Sequence, residues 1–215
     1  MRHLAIIADG NRRWARAAGL DARSGYLQGL VTIENCCDWA IANDLEFLTV
    51  FCFSTENWRR SADEVNMLIS LGKWYFDDKL DWYVNRGIRV RFSGRRDRFA
   101  VDLIETMDRL EAATANGTEL TLAICLDYGG RDEIVRAIEA GARTEEEITA
   151  YLTRLAPEPD VILRTGGDTR LSNFLLWQSA YSELMFTASF FPDLTSDGLD
   201  WVLHSYQLRK RNFGA

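Results

Sequence analysis

Lysine is nearly missing from this chain: of its 25 basic side chains only Lys73, Lys79 and Lys210 are lysines, and the remaining 22 are arginines. Histidine is scarcer still, at His3 and His204, too few to build a Ser-His-Asp or Cys-His catalytic arrangement. There are four cysteines, Cys36, Cys37, Cys52 and Cys125, and none has metal-ligand spacing. Cys36 and Cys37 adjoin on a predicted helix, and the other two fall in predicted buried strands. Free buried thiols of a reducing compartment are the better reading, which makes the expected location cytoplasmic. No apolar run approaches the ~20 residues of a membrane span, so at most peripheral membrane contact is expected. The first strand begins at once, which leaves no stretch that reads as a signal peptide. Neither GxxxxGK[ST] nor GxGxxG occurs, which argues against nucleotide binding of those kinds. A net charge of −7 argues against general nucleic-acid binding, which needs a broad basic face.

What is present is an ordinary globular composition, with 47% hydrophobic and 27% charged residues in 215 positions. One domain spanning residues 1–215 is expected. Residues 3–8 (HLAIIA) form a short apolar run, read as a buried strand. Asp9, Gly10 and Asn11 then supply a carboxylate, a residue free to take positive φ and a good helix N-cap, and Arg12, Arg13 and Arg16 come next on the first helical turns. A strand emptying into a helix start points unpaired N–H groups at one spot, and arginines beside them make an anion site. A carboxylate there repels phosphate unless a cation lies between, so Asp9 suggests Mg²⁺ held jointly with phosphate oxygens. A structural Asp with solvated arginines after it fits this stretch equally well.

Further along, residues 25–43 show helical apolar spacing, and residues 46–53 read as a second strand. Residues 61–86 read as one long amphipathic helix opened by a capping box, Ser61-Ala62-Asp63-Glu64. Strands are expected at 88–92, 119–126, 160–164 and 183–186, and helices at about 97–115, 131–140, 144–155 and 196–209. This alternation implies an α/β fold, a mostly parallel six-stranded sheet with helices on both faces. In such a sheet ligands bind beyond the carboxyl ends of the strands. Three strand ends carry arginines, small hydroxyl residues and glycines: DGNRRW at 9–14, STENWRR at 54–60 and RTGGDTRLSN at 164–173. That is the inventory of a polyphosphate site.

DGNRRWA, FSTENWRRSADEV at 53–65 and RTGGDTRLSNFLLWQSAYSEL at 164–184 closely resemble the cis-prenyltransferases, the undecaprenyl diphosphate synthase family. Asp127-Tyr128-Gly129-Gly130 is similar to the family's NYGG, and the resemblance runs over essentially the whole chain. It implies an Mg²⁺-dependent prenyltransferase with a hydrophobic tunnel, acting as a homodimer. Such an enzyme joins an allylic diphosphate to a second isoprenoid diphosphate, usually isopentenyl diphosphate, and releases pyrophosphate. Carried over by resemblance, Asp9 holds the metal and helps pyrophosphate leave, Gly10, Asn11, Arg12 and Arg13 cradle the allylic diphosphate, and Arg60 assists the leaving group. Asn11 also helps remove the proton. Arg164, Arg170 and Ser172 clamp the second diphosphate, Glu183 completes the metal site, and Phe53, Ser54 and Trp58 line the reacting region. Plainer roles exist for some of these: Trp58 and Trp177 as core aromatics, Glu56 as a helix cap, Asp168 as a turn residue, Glu183 as a surface carboxylate.

Three departures from the family pattern touch diphosphate or metal handling. Tyr26 stands in Gly25-Tyr26-Leu27-Gln28-Gly29 where a histidine is usual, and an arginine usual just upstream falls near Ala22, with Arg23 one position off. Asn212 replaces an arginine in the C-terminal Arg-x-Gly, and Thr169 stands where a metal-side histidine is common. They point to a short-chain or specialised product, with irregular lavandulyl-type coupling of two allylic diphosphates as the alternative. A non-catalytic partner subunit of this fold is a further alternative. Such partners lack the first-loop Asp and the second-loop Arg, whereas Asp9 and Arg60 are both present.

Overall fold

A computed structural model describes residues 1–209. Its six strands form one wholly parallel sheet in the order β3-β4-β2-β1-β5-β6. They are β1 (His3–Ile7), β2 (Phe47–Ser54), β3 (Ile88–Ser93), β4 (Leu120–Tyr128), β5 (Val161–Arg164) and β6 (Glu183–Phe186). Parallel strands need crossovers, and helices supply them: α1 (Asn11–Ala17), α2 (Ala22–Ala42), α3 (Ala62–Asp78), α4 (Leu80–Asn85), α5 (Val101–Ala113), α6 (Gly130–Glu139), α7 (Glu145–Leu152) and α8 (Ser196–Gln207).

β1 is buried over its whole length, as its uninterrupted apolar run demands in a sheet covered on both faces. One face packs Leu4, Ile6, Leu48 and Val50 against Ile33, Cys37, Tyr75, Phe76, Tyr83 and Met107, side chains of the helices α2 to α5. The opposite face carries a smaller cluster in which Phe51 stacks on Phe174 at 4.7 Å between ring centres. From β1 the chain moves outward to β2 on one side and later returns to place β5 on the other. That reversal lies between β1 and β5, and a crevice forms where such neighbouring crossovers diverge.

Three details depart from the sequence reading. The helix over 61–86 is two helices, α3 and α4, broken at Lys79 (φ −99°, ψ 5°). Neither glycine nor proline marks the break, and the apolar periodicity runs through it. Gly10, in a left-handed conformation (φ 110°), and not Asn11, caps α1, so no side chain caps its first turn. The expected capping box of α3 is half formed: Ser61 Oγ accepts from Glu64 N at 3.3 Å, but the Glu64 carboxylate turns to the arginines of the β1 and β2 ends.

Among the described residues, no helix is long and apolar enough to cross a membrane. Cys36, Cys37 and Cys125 are buried, and Cys52 opens onto an internal cavity. Cys52 thereby departs from the expectation of a buried thiol: its side chain is exposed where it lines the cavity.

Candidate active site

The carboxyl ends of β1, β2 and β5 open on one cavity of about 800 Å³, within the size range of small-ligand sites. Its mouth is polar, with Asp9, Arg12, Arg13, Arg60, Arg164 and Arg170 among its lining. Its depth is apolar: Ile33, Cys52, Phe53, Leu68, Leu71, Tyr75, Phe76 and Ile124 wall it. A charged headgroup at the rim with a hydrocarbon tail beneath is the ligand shape this division accepts.

The first rim is built where β1 stops. Thr165 Oγ1 accepts from Asp9 N at 3.0 Å and donates to Asp9 O at 2.7 Å, pinning the loop to the end of β5. A side chain at Gly10 would strike Phe190, and the left-handed φ favours glycine there in any case. α1 then lies against α2 at very short range, because a Cβ at Gly25 would overlap the Asn11 carbonyl oxygen and one at Gly29 the Asn11 side chain. This pair of glycines brings Asn11 and Tyr26 to the same mouth. Asn11 Nδ2 donates to Ala8 O at 3.1 Å, and its Oδ1 is buried without a hydrogen-bond partner.

Asp9 sits between two guanidinium groups, Arg164 Nη2 at 2.8 Å and Arg13 Nη2 at 3.0 Å. Burial opposes its ionisation, but hydrogen bonds from Arg164 and Arg13 outweigh that and hold its carboxyl below the ordinary carboxylate range. Arg12 and Arg60 both reach Glu64, at 3.2 and 2.9 Å, and Arg60 Nη1 also donates to Tyr26 Oη at 2.8 Å. The β2 end is shaped by a short 3-10 turn, Thr55–Arg59, in which Ser54 N donates to Asn57 Oδ1.

The second rim is firmer. Arg164, the last residue of β5, is only 5% exposed in its side chain. Its Nη1 donates to Arg170 O and Ser172 Oγ at 2.5 and 2.6 Å, while Arg170 pairs with Asp168 at 2.9 Å. Ser172 and Asn173 both take positive φ (51° and 65°), an uncommon conformation for residues with a Cβ. Asn173 steadies it: its Nδ2 donates to Glu56 Oε1 at 2.9 Å, its Oδ1 accepts from Arg131 N at 3.0 Å and its carbonyl accepts from Gly130 N at 2.7 Å.

Of the residues expected at the site, Asp9, Gly10, Asn11, Arg12, Arg13, Tyr26, Phe53, Ser54, Arg60, Arg164, Arg170 and Ser172 line this cavity. Three do not. Trp58 stands behind Phe53, edge-on at 5.4 Å, and its Nε1 donates to the buried Asp127 at 2.9 Å, so it supports the wall from outside. Arg23 is exposed in the first turn of α2, outside the lining. Glu183 begins β6 level with Val161, at the amino edge of the sheet, where Arg209 faces it at 3.7 Å. Within one chain the length of the strands therefore separates Glu183 from Asp9. Thr169 is exposed, and Asn212 lies outside the described residues. Glu64, Thr165 and Asn173 belong to the site and were not singled out as site residues from sequence. Glu64 had a signal, its i,i+4 spacing from Arg60, which the cap motif masked.

Among the described residues no three His, Cys, Asp or Glu side chains gather as a metal cage. The carboxylates that line the cavity are Asp9, whose two oxygens face Arg13 and Arg164, and Glu56; Asp168, whose Oδ2 is 3.4 Å from the same Arg164 Nη2, stands beside Asp9 outside the lining. Hard carboxylates beside an arginine-lined rim fit the donor chemistry of Mg²⁺, which binds through one or two carboxylates together with phosphate oxygens and water.

The undecaprenyl diphosphate synthase family model matches residues 7–214. An isoprenyl transferase of Aquifex pyrophilus is 42% identical over 99% of this chain and 95% of its own length. One from Chromobacterium violaceum is 44% identical over 99% of this chain and 88% of its own. The crystal structure of lavandulyl diphosphate synthase from Lavandula x intermedia, in complex with dimethylallyl diphosphate, superposes with a TM-score of 0.94 at 28% identity, covering 100% of this chain and 98% of that one.

Proposed function

The chain belongs to the undecaprenyl diphosphate synthase family of isoprenyl transferases, and from that membership we propose that it condenses an allylic diphosphate with a second isoprenoid diphosphate, isopentenyl diphosphate in the regular case. The observation that carries this is the union of two arginine-lined rims over one apolar cavity. A prenyltransferase must hold two diphosphates side by side and keep the hydrocarbon dry.

In this reading Gly10, Asn11, Arg12 and Arg13 hold the allylic diphosphate, and Arg164, Arg170 and Ser172 hold the second. The allylic C–O bond breaks with its electron pair leaving on pyrophosphate. The alkene of the second substrate supplies the pair for the new C–C bond, and loss of a proton restores a double bond. Arg13 and Arg60, which line the cavity, are the side chains proposed to meet the charge that grows on the leaving group, an interaction worth most in a dry cleft. Asn11, which lines the cavity, is the residue proposed to help remove the proton. Asp9, with Asp168 beside it, would hold Mg²⁺, which when bound would supply charge neutralisation for the leaving pyrophosphate. Glu183 joins them only from a second copy of the chain, and the working form is a homodimer of single-domain chains in the cytoplasm.

A second reading has a specific support. The TM-score of 0.94 to lavandulyl diphosphate synthase, with Tyr26 in place of a charged side chain, favours a specialised product, including irregular coupling of two allylic diphosphates. Purified chain incubated with Mg²⁺ and dimethylallyl or geranyl diphosphate, with and without isopentenyl diphosphate, separates the two by product mass. Product made without isopentenyl diphosphate establishes irregular coupling. A ladder reaching long polyprenyl chains contradicts the specialised reading, and no product under any condition contradicts the function.

A further inference from the structure

β2 and β4 slip against each other twice near their carboxyl ends. Between the pairs Phe51–Cys125 and Phe53–Leu126, Cys52 is an extra residue in β2; between Phe53–Leu126 and Ser54–Tyr128, Asp127 is an extra residue in β4. Bulges of this kind re-aim a side chain, often beside an active site. Asp127 takes a left-handed backbone conformation (φ 48°), uncommon for a residue with a Cβ, and it is wholly buried. A buried carboxylate is costly unless it is paired and hydrogen-bonded. Arg98, from the loop between β3 and α5, supplies the pair. Its Nε donates to Asp127 Oδ2 at 2.7 Å and its Nη2 to Oδ1, and Oδ1 also accepts from Trp58 Nε1 at 2.9 Å. The loop comes this close because Gly94 has no side chain: a Cβ there would overlap the Leu126 carbonyl oxygen. One buried anion thus ties the β3–α5 loop and the β2 turn to the bulge of β4.

Neither Asp127 nor Arg98 lines the cavity, yet both bear on its wall through Trp58. The indole backs Phe53 edge-on at 5.4 Å, Phe99 lies 5.7 Å from it, and the Arg98 guanidinium stands 5.3 Å from its ring centre. Trp58 also belongs to the short 3-10 turn, Thr55–Arg59, in which Asn57 O accepts from Arg60 N at 3.0 Å. Phe53, Ser54, Asn57 and Arg60, on either side of Trp58 in the chain, do line the cavity. We infer that Asp127 and Arg98 are a positioning pair for the reaction: by fixing the Trp58 indole they set where Phe53 and Arg60 stand at the mouth. This rests on the prenyl-transfer reading of the cavity. The carboxylate suits the task because its two oxygens accept from two elements at once, and Arg98 neutralises the charge that this places inside the protein.

The test compares wild type with R98Q, D127N, the double variant R98Q/D127N, W58F and R98Q/W58F. Readouts are kcat, KM for dimethylallyl and isopentenyl diphosphate, and the indole N–H resonance of Trp58 in protein carrying isotope-labelled tryptophan, identified by its loss in W58F. R98Q lowers kcat by about tenfold with both KM values within about threefold, the pattern of misplaced groups at the reacting centre and not of a lost substrate contact. D127N does the same. The double variant returns to within about threefold of wild type, because no buried ion is left unpaired and the amide oxygen still accepts the indole N–H. The Trp58 resonance shifts in R98Q and moves back in the double variant. In the W58F background R98Q costs no further kcat, since the two act as one unit. A pair that only stabilises the fold would lower the unfolding temperature and leave kcat at wild type. Wild-type kcat in R98Q or in D127N overturns the inference, as does a double variant whose loss is the product of the two single losses. Arg98 is 36% exposed in its side chain, so R98Q spares the core, and D127N carries the test if R98Q does not fold. Wild type that makes no product overturns the functional reading instead; the Trp58 resonance, which R98Q must still move, then tests the pair by itself.

Discussion

The two edges of this sheet are built from similar residues and do opposite things. At the amino edge, His3 is satisfied at both ring nitrogens, Nδ1 with Pro157 O at 2.7 Å and Nε2 with Thr49 Oγ1 at 2.8 Å. Asp160 there accepts from the backbone N–H of Arg2 and His3 and from Tyr206. At the carboxyl edge, a strand's length further along the same chain segments, the groups are paired but not completed: Asn11 Oδ1 and Arg164 Nε are buried without partners, and Asp9 is held by arginines that an arriving diphosphate would claim. Buried polar groups are ordinarily satisfied. Arg89 Nε, at the amino end of β3, is buried without a partner as well, so what distinguishes the carboxyl edge is the cavity that its arginines line and not the missing partners.

The largest expected effect falls on the carboxyl edge. Asp9→Ala lowers kcat by on the order of 10³-fold, at the upper end for removal of one group that stabilises transition-state charge, and also lowers the unfolding temperature of the free protein, because the buried Arg164 keeps only Asp168 as its carboxylate partner. Equal loss from a conservative change at the amino edge, such as Asp160→Asn, would erase the contrast. Next comes Arg164→Ala, which sharpens the comparison because this side chain serves both purposes. It is buried, and its loss strands Asp9 and the Ser172 turn, so stability falls by about 3 kcal/mol alongside a ~100-fold drop in kcat/KM. Denaturant melts beside initial rates separate the two.

The amino edge has its own signature, visible in stability and not in rate. Burial pushes the His3 ring down to about 4, against an ordinary value near 6.5. The folded state therefore resists a proton that the unfolded chain accepts. Stability is full above about pH 6.5 and falls as the pH drops toward 4, by roughly 3 kcal/mol in all. His3→Gln flattens that limb in urea melts across this interval, while turnover at pH 8 changes less than twofold. The smallest effect is expected at Glu183: within an isolated chain Glu183→Gln leaves stability within about 0.5 kcal/mol, since its pairing with Arg209 is a surface one. A large loss of Mg²⁺-dependent activity in that variant would show that a second chain brings this carboxylate to the site.

Much of this was legible in the residues. The apolar runs of β1, β2 and β4 announced a buried parallel sheet, and the turns that leave β1, β2 and β5 pointed directly to Asp9, Arg60 and Arg164. The features that stayed hidden depend on distant contacts. Lys79 breaks the long helix without a glycine or proline. Gly10 takes over the cap because α1 must turn sharply under Phe190. Glu64 looks like a capping residue by local spacing, and only the approach of α1 and α2 shows that it gathers Arg12, Arg60 and Tyr26. Asn173 reads as an anonymous turn residue until the β2 and β4 ends close around it. Glu183 shows the converse: the family motif points to it as a metal-site carboxylate, while the fold of one chain holds it at the amino edge, away from Asp9.

The central claim is that a single cavity at the carboxyl edge grips two diphosphates at once. It is tested most directly by equilibrium binding of an unreactive dimethylallyl thiolodiphosphate in the presence of Mg²⁺, with the number of molecules bound per chain as the readout. Two per wild-type chain, falling to one in Arg170→Ala and to one in Arg13→Ala, is the predicted result. One per wild-type chain, or two retained in both variants, would contradict it.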